Sequence, residues 1–225
     1  MATEAAVARS VSRRYPAAGT PVVALDDVSV VIESGRMTVI AGPSGSGKST
    51  LLGLLACLDR PDSGVVELDG RPIHSASSRD RRRIRRRSIG IVLPLPPDNL
   101  LERLDAAGNL AWAGKVRSGA RLTAEDVHAR LAAVGLGGSG TKRIRQLSGG
   151  EQLRLALACA MTGDPPLVVA DEPTASLDRS NAATMVDAMR SAADRGATLV
   201  VASHDTHILD EADVIVRLDH GRRVS

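Results

Sequence analysis

The chain has 225 residues, of which 43% are hydrophobic and 24% are charged, as is ordinary for a globular protein with a substantial core. Its 29 basic and 26 acidic residues leave a net charge of +3, which is too small to imply a polyanionic partner. With no Phe, one Trp and one Tyr, the core must be aliphatic, and single-stranded nucleic-acid binding by aromatic stacking is disfavoured.

Membrane and redox signals are weak. No uninterrupted apolar run approaches the about 20 residues that span a bilayer, and the N-terminus lacks a signal-peptide pattern. If the protein serves a membrane, we therefore expect another chain to supply the membrane part. Cys57 and Cys159 lack metal or redox spacing and are expected to be buried, reduced thiols of a cytosolic protein.

Strands and helices alternate through the first part of the chain. The predicted strands are apolar or β-branched; they are residues 22–32, 37–41, 64–68 and 89–93. The predicted helices are one that follows a glycine loop and runs through residue 58, and a very basic one at 79–87. Residues 22–32 have the polar interruptions of an antiparallel strand at a sheet margin.

A helical middle section interrupts the alternation, which then resumes. Helices are expected between about 102 and 134 and at 150–161. The later elements are a strand at 167–170, a helix at 180–195, a strand at 198–202 and a final hairpin at 214–224. The pattern predicts a single domain over residues 1–225, with an α/β core at about 1–93 and 163–225 and a helical subdomain at about 95–162. Its sheet should be mostly parallel and flanked by helices, with an antiparallel β margin.

A glycine-rich loop between strand 37–41 and the next helix matches the pattern G-x-x-x-x-G-K-[ST]. Its residues are Gly42, Pro43, Ser44, Gly45, Ser46, Gly47, Lys48, Ser49 and Thr50. Glycines let backbone N–H groups curl around phosphate oxygens, and the helix N-terminus adds its positive dipole end. Lys48 is predicted to reach the β- and γ-phosphates and Ser49 to bind Mg²⁺, so the fold class is a P-loop NTPase core.

Two carboxylates follow the apolar strand 167–170. Asp171 is suited to hold the Mg²⁺ shell, and Glu172 to orient or deprotonate the attacking water. Without the phosphate loop, two acidic residues at this position would be explained equally well as caps at a strand end. The presence of the loop favours the catalytic interpretation.

The segment Leu147-Ser148-Gly149-Gly150-Glu151-Gln152 resembles the signature motif of ABC ATPases and lies between the two nucleotide motifs, as in that family. The resemblance covers nearly the whole chain and implies ATP and Mg²⁺ as ligands. It also implies that Tyr15 stacks on adenine, that Asp178 of Ser176-Leu177-Asp178 crosses a dimer interface, and that His204 is a catalytic switch at the γ-phosphate. Tyr15 as a lone surface aromatic and His204 as a structural histidine are the alternatives. The segment at residues 57–64 is similar to the corresponding segment of the lipoprotein-release, macrolide-export and cell-division subgroup.

The signature motif implies a dimer. Ser148 and the N–H groups near Gly149 and Gly150 begin a helix and so form a second anion site. By the resemblance, that site serves the partner subunit's ATP, and two head-to-tail subunits form a symmetric homodimer or pseudo-dimer. The family also implies a separately encoded integral-membrane permease, with this chain cytoplasmic and peripheral on the inner membrane face.

Pro94 departs from the family pattern, which has a glutamine directly after the strand at 89–93. That glutamine contacts Mg²⁺ and the attacking water, and proline has neither a side-chain oxygen nor a backbone donor. Asp98 and Asn99 are candidate substitutes. We expect ATP binding to survive and hydrolysis or permease coupling to be altered, with a slow-turnover regulatory subunit as an alternative.

The seven arginines between residues 79 and 87 suggest a second alternative. Such a helix can bind nucleic-acid phosphates, but it is also typical of a solvated face or a surface near anionic lipid. A soluble ABC ATPase acting on DNA or ribosomes is disfavoured, because relatives of that kind carry a coiled-coil insertion or two ATPase halves.

Overall fold

The computed structural model describes residues 3–17, 19–119 and 121–224. The strands in these ranges are β1 (Glu4–Tyr15), β2 (Val22–Glu33), β3 (Met37–Ala41), β4 (Ser63–Leu68), β5 (Arg71–Pro72), β6 (Ile89–Val92), β7 (Leu167–Asp171), β8 (Leu199–Ala202), β9 (Val214–Asp219) and β10 (Arg222–Arg223). The α-helices are α1 (Lys48–Leu55), α2 (Ser78–Ser88), α3 (Ala106–Ser118), α4 (Ala124–Ala132), α5 (Gly149–Met161), α6 (Arg179–Asp194) and α7 (Thr206–Asp210). The α/β class is confirmed.

The larger sheet has the strand order β10-β9-β3-β8-β7-β6. Neighbours from β9 to β6 are parallel, and only the short β10 pairs antiparallel, as the second strand of the predicted C-terminal hairpin. Every residue of β3 and β8 is buried, as expected when helices cover both faces of a parallel sheet. The carboxyl ends of β3, β7 and β8 therefore meet at one edge, where parallel sheets bind ligands.

The smaller sheet is antiparallel, with the order β2-β1-β4-β5. The predicted antiparallel margin is thus confirmed, but the sequence analysis missed β1. Its pairing with β2 shifts register between Ala8 and Val11, and Ser10 has a φ of 47°. A bulge of this kind breaks the alternation by which a strand is recognised in a sequence.

The core is aliphatic, as predicted, and forms two clusters. One contains Leu51 and Leu55 of α1 together with Val11 and Val28 of the antiparallel sheet. The other contains residues of α3, α5 and α6, including Leu157 of α5, which is fully buried. The α1 helix is consequently fixed from both sheets, and it carries the lysine of the phosphate loop.

The chain between β6 and α5 is helical, as predicted. Asp105 caps α3 by accepting from the Gly108 N–H, and Thr123 and Asp126 form a capping box on α4. In the described part of the chain, none of the helices has the length and hydrophobicity of a membrane span. The division into a core and a helical subdomain at about residues 95–162 stays a prediction.

The prediction that α1 continues through Leu58 is wrong, because the helix ends at Leu55. Cys57 adopts a φ of 56°, which an α-helix does not allow. Its carbonyl accepts hydrogen bonds from Arg81 and Arg85 of α2. Two arginines of the basic helix are thus used inside the fold. Four other arginines of α2 lie on one face of the helix and line a surface cleft; they are Arg79, Arg82, Arg83 and Arg86.

Candidate nucleotide-binding site

The phosphate loop joins β3 to α1 as the sequence predicts. The Lys48 Nζ donates to the carbonyls of Gly42 at 2.9 Å and Pro43 at 3.1 Å, so the ammonium lies within the curl of the loop. Gly42 and Gly47 have φ values of 155° and 102°, and a Cβ on either would meet a backbone oxygen at 2.2 Å or 2.4 Å. Both positions therefore require glycine.

A cavity of about 640 Å³ opens over this loop. It is lined by most of the predicted nucleotide-binding residues: Tyr15, Pro43, Ser44, Gly45, Gly47, Lys48, Ser49, Thr50, Glu172 and His204. Residues that are far apart in the sequence therefore converge on one cleft at the carboxyl edge of the parallel sheet. The cleft is a candidate site for a phosphorylated ligand.

Ser49 and Asp171, the two residues predicted to hold Mg²⁺, are in direct contact. The Ser49 hydroxyl donates to Oδ1 of Asp171 at 3.0 Å. Burial and the neighbouring charge of Glu172 raise the pKa of Asp171, although the Ser49 hydrogen bond and the Lys48 charge oppose the shift. Among the described residues, no cluster of three or more His, Cys, Asp or Glu could hold a metal alone. A hydroxyl and a carboxylate suit Mg²⁺, which keeps several waters and takes further ligands from substrate phosphates.

Three side chains converge beside this pair. Oε1 of Glu172 lies 3.1 Å from Nδ1 of His204 and 3.6 Å from Nζ of Lys48. Glu172 has a φ of 44°, an unfavourable conformation for a non-glycine residue, and its N–H donates to the Ala202 carbonyl at 2.9 Å. Strained backbone of this kind clusters at functional sites. The carboxylate is thus held between a lysine and a histidine at the cavity.

Tyr15 lies at the end of β1 and lines the same cavity. Its hydroxyl donates to Oδ2 of Asp59 at 2.8 Å, and the Arg13 guanidinium lies 4.7 Å from its ring centroid. The sequence analysis singled out neither Arg13 nor Asp59. Asp59 belongs to the segment at residues 57–64 that resembles the transporter subgroup, and that resemblance was the only sequence feature that pointed to it.

The residues of the signature motif lie elsewhere in the chain. Ser148 caps α5 through a capping box in which it accepts from the Glu151 N–H and Glu151 accepts from the Ser148 N–H. Asp178 caps α6 by accepting from the N–H groups of Ser180 and Asn181. These hydrogen bonds lower the pKa of Asp178 well below its usual range, foremost the one from Asn181.

The two helix starts are in contact, because Asn181 packs against Gly150 so closely that a Cβ there would meet it at 2.5 Å. Within the described chain, Ser148, Gly149, Gly150 and Asp178 are not among the residues lining the phosphate-loop cavity. The chain therefore carries a phosphate loop and, apart from it, a separate helix N-terminus.

The Pro94 loop is fixed by Asn99. Oδ1 of Asn99 accepts from the Leu93 N–H at 2.7 Å, and Nδ2 donates to the carbonyls of Leu93 and Leu95. Its side chain is thus committed to its own loop, which counts against Asn99 as a metal ligand. Asp98 is exposed in a 3-10 turn, and among the described residues neither it nor Pro94 lines the cavity.

This geometry defines a P-loop NTPase: a phosphate loop between β3 and α1, a Ser49–Asp171 pair, and Glu172 directly after β7. The family model for ABC transporters matches residues 25–175, and the chain belongs to that family. As an ATP-binding protein of the ABC type, the chain is an ATPase.

Relatives and solved structures agree with the family. The chain is 39% identical over 212 residues to an uncharacterised ABC transporter ATP-binding protein of Thermotoga maritima, covering 92% of this chain and 88% of that one. It is 37% identical over 218 residues to the macrolide export ATP-binding/permease protein MacB of Burkholderia pseudomallei, covering 95% of this chain but only 33% of MacB. An ATP-binding cassette solved as a dimer in a post-hydrolysis state, bound to ADP and Pi, matches with a TM-score of 0.86 at 30% identity, covering 98% and 97% of the two chains.

Proposed function

We propose that this chain is the ATP-hydrolysing subunit of an ABC transporter and drives a separately encoded transmembrane permease by ATP-dependent, head-to-tail dimerisation. The observation that carries the proposal is the separation within one subunit of the phosphate-loop cavity from the Ser148 helix start. A helix N-terminus offers free N–H groups and a positive dipole end to an anion. Because it does not line its own subunit's cavity, it is available to a triphosphate bound by another subunit.

The residues predicted from the sequence have distinct roles in this proposal. The loop glycines and Lys48 hold the β- and γ-phosphates of ATP, and Tyr15 stacks on the adenine. Ser49 and Asp171 would hold Mg²⁺, which when bound would neutralise negative charge on the phosphates. Glu172 accepts a proton from the attacking water, and His204 orients Glu172 and contacts the γ-phosphate. Asp178 contacts the partner subunit from the start of α6.

The dimer follows from the two half-sites. Each ATP would be bound by the phosphate loop of one subunit and the Ser148–Gly150 segment of the other, a two-fold symmetric arrangement with two ATP molecules. ATP favours the closed dimer, and hydrolysis removes the contacts that hold it, so the chemical step changes the subunit arrangement. A dimeric cassette of the same fold supports this arrangement.

The proposal of a permease partner is based on the names of the relatives. The name of the Burkholderia MacB protein joins an ATP-binding part and a permease, and this chain matches about a third of its length. We therefore place the subunit at the cytoplasmic face of a membrane, bound to a permease. The transported substrate would be chosen by that permease.

The proposal also covers the effect of Pro94 in place of the family's glutamine. We propose that ATP binding survives this difference, while hydrolysis or coupling to the permease is altered. Asn99 hydrogen-bonds to the backbone of Leu93 and Leu95 on either side of Pro94, and the proline itself offers no side-chain oxygen in place of the glutamine. Water in the Mg²⁺ shell can take the place of one missing side chain, which preserves binding.

The experiment compares the wild type with Glu172→Gln. The substitution should lower the rate of phosphate release by about 10²-fold or more, as for loss of a general base. In saturating MgATP, light scattering should then give about twice the 23.5 kDa of one chain. The matched control adds Ser148→Arg to Glu172→Gln, which should bind ATP as a monomer. A Glu172→Gln protein that stays monomeric in MgATP, with or without the permease, contradicts the dimer.

A further inference from the structure

Tyr15 is held by a side chain 44 residues away. Its hydroxyl donates to Oδ2 of Asp59 at 2.8 Å, while its ring lines the phosphate-loop cavity. Asp59 comes four residues after the end of α1, whose first residue is Lys48. The residue proposed to receive adenine is therefore tied to the far end of the helix whose beginning holds the phosphates.

The Arg13 guanidinium completes the arrangement. It lies 4.7 Å from the centroid of the Tyr15 ring, and it contacts both oxygens of Asp59, with Nε at 2.9 Å from Oδ2 and Nη2 at 3.0 Å from Oδ1. Its Nη1 also donates to Asp62 at 2.8 Å. The guanidinium covers one face of the ring, so an adenine base must stack on the other.

Further hydrogen bonds hold Asp59 and the backbone that precedes it. The Cys57 carbonyl, two residues earlier, accepts from Arg81 and Arg85 of α2. The Arg60 N–H donates to Oδ1 of Asp59 at 2.7 Å. Burial alone would raise the pKa of Asp59, but hydrogen bonds from Tyr15, Arg60 and Arg13 outweigh it and lower that pKa. Asp59 is thus an ionised acceptor for the Tyr15 hydroxyl at neutral pH.

We propose that Asp59 and Arg13 are positioning residues for recognition of the adenine base, because they hold the Tyr15 ring where it lines the phosphate-loop cavity and leave the base to stack on the face opposite the guanidinium. The inference rests on the proposed function, in which Tyr15 receives adenine. An aromatic side chain held in its binding orientation loses less conformational freedom when the base stacks on it. Asp59 and Arg13 therefore strengthen binding of the nucleoside part of ATP and leave the phosphate contacts unchanged.

The test separates base binding from phosphate binding. ATP uses both parts of the site, whereas inorganic triphosphate with Mg²⁺ uses the phosphate loop alone. Asp59→Asn should raise the KM for ATP by about three- to tenfold with little change in kcat, as loss of a pre-organised stacking contact predicts. The inhibition constant of triphosphate against ATP hydrolysis should not change. Glu67→Gln is the matched control, since it breaks the Arg9–Glu67 pair of the same sheet without touching Tyr15.

A second measurement asks whether Asp59 acts through Tyr15. In a Tyr15→Leu background, Asp59→Asn should have no further effect on the KM for ATP, because the ring that it positions is gone. The inference is overturned if Asp59→Asn weakens ATP and triphosphate equally, which indicates a general loss of structure, or if its effect persists without Tyr15. A wild type that binds ATP no more tightly than triphosphate overturns it too. A wild type that neither binds nor hydrolyses ATP would instead overturn the proposed function.

Discussion

The Nδ1 atom of His204 lies 3.1 Å from Oε1 of Glu172, although the two residues are 32 positions apart. They follow β8 and β7, which are neighbours in the parallel sheet, so the pairing is a direct result of strand order. The His204 side chain remains 71% exposed, and that of Glu172 only 21%. The histidine is therefore free to contact a ligand in the cavity while it holds the glutamate.

We predict that His204→Ala lowers kcat by about ten- to a hundredfold, because Glu172 loses its hydrogen-bonding partner and, in the proposed function, the γ-phosphate loses a donor. The KM for ATP should change less, since the phosphate loop and Tyr15 are untouched. His204→Gln, which keeps a hydrogen-bonding group, should retain more activity than alanine. Steady-state phosphate release measures both variants, and equal activity of wild type and His204→Ala would contradict the role.

A second prediction concerns Asp171, whose pKa is raised, first by burial and then by the charge of Glu172. A raised carboxyl pKa means that the folded state holds the proton more tightly than the unfolded state does. The stability contributed by this group is thus fully present below the unfolded pKa of about 4 and is lost as the pH rises through the folded pKa. At neutral pH the ionised carboxylate opposes folding.

Asp171→Asn should therefore raise the melting temperature of the nucleotide-free protein at pH 7, by about 1–3 °C for a chain of this size. The same variant should lose Mg²⁺-dependent hydrolysis, because an amide is a weaker magnesium ligand. Thermal melts at pH 7 check the first result and a magnesium titration of the ATPase rate checks the second. Asp187→Asn, at an exposed position of α6, is the control and should change neither.

A third prediction separates capping from dimerisation at Asp178. Its carboxylate accepts from two N–H groups at the start of α6, so Asp178→Ala should lower the melting temperature by roughly 2–4 °C. Thr123→Ala removes a comparable cap from α4 and should cost a similar amount. If Asp178 also contacts the partner subunit, only Asp178→Ala should weaken ATP-dependent dimerisation of the Glu172→Gln protein. Equal dimerisation of the two variants would leave Asp178 with a capping role alone.

Local patterns predicted most of the fold and the contents of the cavity. The phosphate loop and Asp171–Glu172 are contiguous segments whose chemistry depends on short spacings, so they were visible in the sequence. By contrast, β1 was missed because residues 5–8 are all buried, so no alternation of buried and exposed residues marks the strand, and the bulge at Ser10 follows directly. This strand forms because it pairs with β2 and with β4, which is distant in the sequence, and no local sequence pattern predicts that pairing.

Long-range side-chain contacts also escaped prediction. The arginines of α2 look alike in the sequence, yet Arg81 and Arg85 turn inward to the Cys57 carbonyl. The contact between Tyr15 and Asp59 joins a strand to the end of a helix, and nothing in the spacing of the two residues indicates it. Such pairings depend on how β1 packs against α1, which is settled only by the assembled core.

The last prediction concerns Pro94, where the family's glutamine would contact Mg²⁺ and the attacking water. If the missing oxygen limits the chemical step, Pro94→Gln should raise kcat by about threefold or more and leave the KM for ATP nearly unchanged. Pro97→Gln is the matched control, because it places the same side chain at an exposed position of the same loop. Phosphate release should be measured with and without the permease, since an effect on coupling would appear only when the permease is present. No change in either condition would show that Pro94 does not alter turnover, and the water in the Mg²⁺ shell would then suffice for this ATPase.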